Sequence, residues 1–239
     1  MAFLFGFSDP IETFSTIGIF VTVAVMAVFI GVYIWGTRYN KMLIRRFGAI
    51  LKTELGPKCE KKKEQVYRSS GFRLYCETKK KVPLKNWEVV LFLLNRENLI
   101  HHIISKFRPH HDMLLTTANF LTKPRVRLEI INTTSKEITK EDKETLEGLE
   151  KVNAPRMERK FVVKASDPKS AEELFQDDEF VRLVRKLGDD FVRMSVTEKP
   201  PHLLFASRAR ESTLISHVRL AERVGDYFKP RKRKPKILG

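Results

Sequence analysis

The sequence predicts an α+β domain carried on one N-terminal transmembrane helix, and three observations predict it. Residues 13–37 run for 25 positions without Asp, Glu, Lys, Arg or His. Beyond them, apolar stretches of strand length alternate with stretches whose apolar residues recur at helical spacing. The connections between them are short and no Gly/Ser linker divides the chain, so strands and helices belong to one mixed domain.

The anchor comes first. Residues 14–36 at about 1.5 Å per residue span a hydrocarbon layer of about 30 Å. A cleaved secretory signal is disfavoured, because no Lys or Arg precedes the run and it exceeds the usual apolar core of about 7 to 15 residues. Residues 1–36 hold Asp9 and Glu12 and no Lys or Arg, whereas residues 37–64 hold nine Lys or Arg against three Glu. Positive charge stays on the cytoplasmic side during insertion, so residues 1–13 are expected outside and the domain inside. Tyr33, Trp35 and Tyr39 fall at the inner boundary, where amphipathic rings settle among headgroups.

Residues 37–56 predict a basic amphipathic juxtamembrane helix that ends at Gly56-Pro57. Tyr39, Leu43, Phe47, Ile50 and Leu51 share one face, and Arg38, Lys41, Arg45 and Lys52 share the opposite one. Either the apolar face docks on the domain, or it lies in the membrane interface or against a partner's membrane helix.

The domain is expected over residues 57–228. It opens with a charged loop at 58–65, then strands near 66–77 and at 87–94, the second apolar enough to be central. Residues 97–107 change to helical period, with Leu99, Ile100, Ile103, Ile104 and Phe107 on one face and Pro109 beyond. Strands follow at 112–120 and 125–131, a helix at 140–152 and a strand at 159–165. Asp167 and Pro168 start a short helix, 177–187 forms another, and two strands and a helix at 211–228 complete the fold.

The net charge of +16 is concentrated at the flanks of this domain: +6 over residues 37–64 and +6 over the tail, 229–239. Polyanions, RNA or anionic lipid, are therefore favoured over a small neutral substrate. The candidate phosphate contacts are Arg38, Lys41, Arg45, Arg46 and Lys52, then Arg182, Arg185 and Lys186 on the polar face of the 177–187 helix. The tail adds Lys229, Arg231, Lys232, Arg233, Lys234 and Lys236.

Other chemistry has little support. His101, His102, His110 and His111 lack the i, i+4 spacing of paired helical ligands, so no metal is expected. No Gly-rich phosphate loop or nucleophile elbow occurs, so neither cofactor nor catalytic residues are expected. Cys59 and Cys76 do not form a CxxC pair, and on a reducing side a disulfide between them is disfavoured.

The segment WEVVLFLLNRENLIHHIISKFRPHHDM, with Leu94 and Arg96 before Leu99, Ile100 and Ile103 and then Arg108 and Pro109, resembles the calumin family. That family is also called coiled-coil domain-containing protein forty-seven. VYRSSGFRLYCE resembles its strand pair, and the order of anchor, basic helix, domain and basic terminus agrees. The long acidic lumenal region and the long coiled coil of that family are missing. The resemblance implies a non-enzymatic membrane-protein biogenesis factor that acts with the Sec translocon and the ribosomal RNA surface, beside a small membrane-protein subunit, in inserting multipass proteins. A compact version fits a prokaryotic, archaeal plasma membrane; in a eukaryote the place is the endoplasmic reticulum. Two alternatives stand beside it: a membrane-anchored enzyme or small-ligand sensor, and a scaffold bound to anionic lipid.

Overall fold

The computed structural model describes residues 10–101, 103 and 111–229, with side chains from residue 18 onward. It is an α+β structure: one long N-terminal helix, then a nine-stranded antiparallel sheet with its longer helices packed on one face. Helix α1 (Pro10–Leu55) runs for 46 residues, so the apolar span and the basic segment form a single uninterrupted rod. Among the described residues it is the one helix long and apolar enough to cross a membrane, and its most apolar window has mean hydropathy 2.3 and no buried residues. A Gly56–Lys58 turn with Pro57 stops it.

The strands are β1 (Cys59–Tyr67), β2 (Gly71–Thr78), β3 (Leu84–Phe92), β4 (Met113–Phe120), β5 (Leu128–Asn132), β6 (Glu150–Lys151), β7 (Phe161–Ala165), β8 (Phe191–Val196) and β9 (Leu203–Arg208). Their order is β1-β2-β3-β4-β9-β8-β5-β7-β6, which places β4 and β9, both alternating in burial, near the centre. Besides the helical residues 99–101 and 103, the described residues hold four shorter helices after α1: α2 (Lys140–Glu144), α3 (Pro168–Gln176), α4 (Asp178–Leu187) and α5 (Glu211–Tyr227). The lower half of α1, α5 and α4 lie side by side on the sheet. Between them and the sheet sits one core, including Leu51, Phe72, Trp87, Phe175, Phe180, Phe191 and Phe205. Each such apolar side chain contributes about 1.5–3 kcal/mol on burial, which sets the helix layer firmly on the sheet.

Local chemistry explains most boundaries. Asp167 caps α3 by accepting the Ser170 N–H, with Pro168 in the first turn, and Asp177 caps α4 through the Phe180 N–H. The hairpin β1-β2 closes through residues 68–70, with Ser70 N–H on Tyr67 O at 2.8 Å. His217 of α5 is fully buried, stacked on Phe205 with 4.0 Å between ring centroids and bonded to Thr116 Oγ1 at 2.8 Å and Ser207 Oγ at 2.6 Å. Burial alone lowers its pKa to about 3, so the ring is neutral.

The opposite face of the sheet carries a buried charge network. Glu129 accepts from Ser195 Oγ at 2.5 Å and from Arg193 Nη2 at 3.1 Å, while Arg193 also pairs with Asp142. Arg208 grips Glu137 through two contacts, at 3.0 and 3.1 Å. Together they fasten residues 135–145 across β8 and β9. Burial raises the Glu129 pKa, and the bonds from Ser195 and Arg193 oppose that shift.

Three sequence expectations need correction. Residues 58–65 are not a loop: all but Lys58 belong to β1, an edge strand whose exposed lysines Lys61, Lys62 and Lys63 imitate loop composition and guard the edge. The helix expected over 140–152 stops at Glu144. Two carbonyls are diverted there, Thr145 O to Arg127 and Leu146 O to Lys164, and Gly148 turns at φ +72° into β6. Cys59 and Cys76 are joined in a buried disulfide, because pairing β1 with β2 brings their Cα atoms to 5.4 Å. The helical residues 99–101 and 103 are described within the helix expected at 97–107; the rest of it from 104 on, with His102 and His110, lies outside the described residues.

Candidate membrane-proximal site

The junction between α1 and the β3–β4 connection joins an apolar stripe to a cluster of hydrogen-bonded polar side chains. Along α1 a stripe at three- and four-residue spacing, Gly36, Asn40, Ile44, Phe47, Leu51 and Leu55, is buried against the domain. The expected face is rotated from this one. Phe47 and Leu51 belong to both, Leu43 and Ile50 are half-buried beside the core, and Tyr39 is exposed under the Arg96 guanidinium at 5.2 Å. Of the two readings of this helix, the domain-docking one describes the apolar face.

Asn40 is the polar member of the stripe and the reason for the rotation. Its Nδ2 donates to Leu94 O at 2.9 Å and its Oδ1 accepts from Arg96 Nη1 at 2.9 Å. Arg96 in turn makes a two-pronged contact with Asp112, 2.9 Å to Oδ1 and 2.8 Å to Oδ2, and Asp112 Oδ1 also accepts the Leu94 N–H at 2.8 Å. Asn40, Arg96 and the Leu94 N–H thus donate to acceptors within one cluster. Four residues higher, Gly36 lies against the backbone of Arg96: a Cβ there would stand 2.3 Å from its carbonyl oxygen. Thr37 Oγ1 donates to Glu97 Oε2 at 3.2 Å, and Ser69 in the β1-β2 turn donates to the other oxygen of Glu97. The turn 68–70, the connection 93–98 and α1 are therefore locked together at the membrane end of the domain.

Above this lock the same stripe of α1 continues through Phe29 and Tyr33, and a cleft of about 790 Å³ opens beside it. Phe29, Ile30 and Tyr33 of α1, Leu99 and Ile100, and the polar Arg68, Ser69 and Asn98 line it. Asn98 Oδ1 accepts the N–H groups of Ile100 and His101 at 3.0 and 3.2 Å and so starts the helical turn that carries Leu99 and Ile100.

The basic residues expected to meet phosphate are separated by this architecture. Arg38, Lys41 and Arg45 form an exposed row on α1 outside the buried stripe, with no ion-pair partner among the described residues. Arg46 lies 3.6 Å from Glu211, and Lys52 lies 2.7 Å from Glu64. On α4, Arg182 pairs with Glu179 and Arg185 donates to Arg156 O, leaving Lys186 exposed; α5 stands between α4 and α1. Lys229 pairs with Asp226 at 2.6 Å, and Arg231, Lys232, Arg233, Lys234 and Lys236 lie outside the described residues. Among the described residues no cluster of His, Cys, Asp or Glu has the arrangement of a metal site. His111, 3.8 Å from Glu137, has its pKa lowered by burial and by Arg208. Sequence reading missed Asn40, Asp112 and Arg68; an amide at a core position of an amphipathic helix is the one visible signal.

No protein-family model matches the chain, and no curated protein matches it. Among solved structures it is similar to the crystal structure of the mycobacterial trehalose monomycolate transport factor A, TtfA, at 10% identity over 62% of this chain and 74% of that one. The TM-score is 0.36, a likeness that carries no argument about fold or function, so what the molecule does must be argued from its own geometry.

Proposed function

We propose that this chain is a non-enzymatic membrane-protein biogenesis factor, a compact relative of the calumin family, whose domain is held at the cytosolic membrane face beside the Sec translocon and the ribosome. The observation that carries the reading is the bare row Arg38, Lys41 and Arg45 on an uninterrupted helix just past the uncharged span. Cations without acidic partners, fixed within two turns of one helix, suit a phosphate-rich partner and lose affinity steeply with salt. The excess of Lys and Arg in residues 37–64 supports the cytosolic side. A buried disulfide coexists with that side in the cytosol of hyperthermophiles. The two Gln and seven Asn in the chain match the scarcity of heat-labile amides in such proteins. Co-sedimentation of the detergent-solubilised chain with ribosomes over a salt series tests the proposal: binding at low salt, weakened in Arg38→Ala/Lys41→Ala/Arg45→Ala, supports it, and no binding at any salt refutes it.

A scaffold bound to anionic lipid is the second reading, favoured by the depth of the same row, one to three turns below Tyr33 and Trp35. Flotation with phosphatidylglycerol against phosphatidylcholine vesicles separates the two.

A further inference from the structure

We infer that the cleft beside α1 binds one phospholipid of the surrounding bilayer, an acyl chain lying between Tyr33 and Ile100 and the phosphate resting at Arg68. The cleft, beside residues 29–33 of α1, is distinct from the basic row, which lies further along the helix at residues 38–45. Three observations converge on this occupant.

The first is depth. Phe29, Ile30 and Tyr33 belong to the uncharged stretch of α1, so whatever borders them in a membrane is hydrocarbon or its boundary. A cleft opening sideways at that level is filled from the bilayer, and its 790 Å³ falls within the range of about 300–1,000 Å³ typical of small-molecule sites.

The second is the distribution of polarity. The apolar lining comes from α1 and from Leu99 and Ile100, while the polar lining comes from the 68–70 turn and residues 95–98. Arg68 holds a left-handed backbone, φ +46°, where a side chain costs energy that Gly would avoid, yet it is an arginine with no ion-pair partner among the described residues. The acid of that lining, Glu97, is already engaged by Thr37 and Ser69. An unpaired guanidinium in the 68–70 turn, at the lock end of a cleft whose apolar lining runs along the uncharged part of α1, matches the order of phosphate and chain in a lipid.

The third is the surface around it. Val66, Phe92, Ile100 and Ile103 are 53%, 51%, 60% and 48% exposed, all at the end of the domain that meets α1 above the lock. Isolated apolar side chains at a surface need no explanation, but four at one end, beside a membrane helix, mark a face that sits among headgroups and upper chain carbons. The cleft is therefore open to lipid rather than to water.

Native mass spectrometry of the full chain in detergent, supplied with either phosphatidylglycerol or phosphatidylcholine, tests the assignment by counting retained lipid. One lipid per chain is expected with both, since the phosphate is common to them. Ile100→Trp, which fills the cleft from an exposed position, and Arg68→Ala are each expected to weaken retention about tenfold, the effect of about 1.4 kcal/mol. An unchanged thermal unfolding midpoint shows that either variant is folded. Arg38→Ala/Lys41→Ala/Arg45→Ala is expected to keep its lipid. Retention unaffected by Ile100→Trp, or lost only in the triple variant, overturns the site, and loss with Ile100→Trp but not with Arg68→Ala overturns the phosphate position. Ribosome sedimentation is a separate readout, so either proposal can fail without the other.

Discussion

Arg96 and Asp112 face each other in a two-pronged ion pair, 2.8 and 2.9 Å, with side chains only 15% and 12% exposed. They are 16 residues apart and enclose most of the β3–β4 connection, so the pair sets where that connection meets the membrane helix. Removing one partner of a buried pair leaves the other charge uncompensated, at about 3–5 kcal/mol. Asp112→Ala is expected to fall in this range, because Arg96 and the Leu94 N–H both lose an acceptor. Chemical denaturation of the solubilised chain checks it, and a change below about 1 kcal/mol would mean the cluster is solvated.

Gly36 is expected to resist any side chain. A methyl there meets the Arg96 carbonyl and the Glu97 nitrogen, which are backbone atoms and cannot rotate aside. Gly36→Ala should cost about 1–3 kcal/mol, the usual range for overpacking, and expose the 93–98 connection to limited proteolysis. Gly31→Ala, with nothing within 4 Å of its added carbon, is the control and should change neither.

The Cys59–Cys76 disulfide closes a loop with a sequence separation of 17. Loss of such a crosslink costs about 3 kcal/mol in the chain-entropy account. Cys76→Ala is expected to lower the thermal unfolding midpoint by that amount of stability, and alkylation of the denatured but unreduced wild type should label neither cysteine. Two labelled thiols in protein taken from intact cells would show that the crosslink is not formed in its own compartment.

His217 predicts the acid side of the stability profile. Its pKa is about 3 in the fold against 6.5 in the unfolded chain, so below pH 6.5 the unfolded state takes up a proton that the folded state refuses. Stability is therefore expected to fall as pH drops from 6.5 towards 3, with a slope approaching about 1.4 kcal/mol per pH unit. His202 and His111, also shifted down by burial, add in the same direction. Urea denaturation at a series of pH values checks it: His217→Gln should flatten most of the slope between pH 6.5 and 5, whatever its effect at pH 7.

Much of this fold was legible because its signals are local. The Asp167-Pro168 start of α3, the apolar face of α4 and the period change after β3 each follow from a few neighbouring residues. What was not legible depends on partners far along the chain. The lysines of β1 look like loop residues until β2 is placed beside them, and the cysteines look unpaired until the same register is known. Asn40 was the costliest omission: an amide at a core position turned the inferred face of α1, and its reason, the Leu94 carbonyl and Arg96, lies 54 and 56 residues away. Leu94 and Arg96 are two residues of the longer segment that resembles the calumin family, and nothing near them in the sequence shows what they hold. The cleft was invisible for a related reason, since its lining comes from segments that only the clamp brings together.

The continuity of α1 has a mechanical consequence. From the uncharged span to Leu55 there is no joint, and the clamp at Asn40 together with the core contacts of Phe47, Leu51 and Leu55 lets the domain neither swivel nor slide on the rod. A transmembrane helix answers a thicker or thinner bilayer by changing its tilt. Here such a change swings the entire sheet as a lever arm, so membrane thickness sets the angle at which the domain meets whatever lies beneath it.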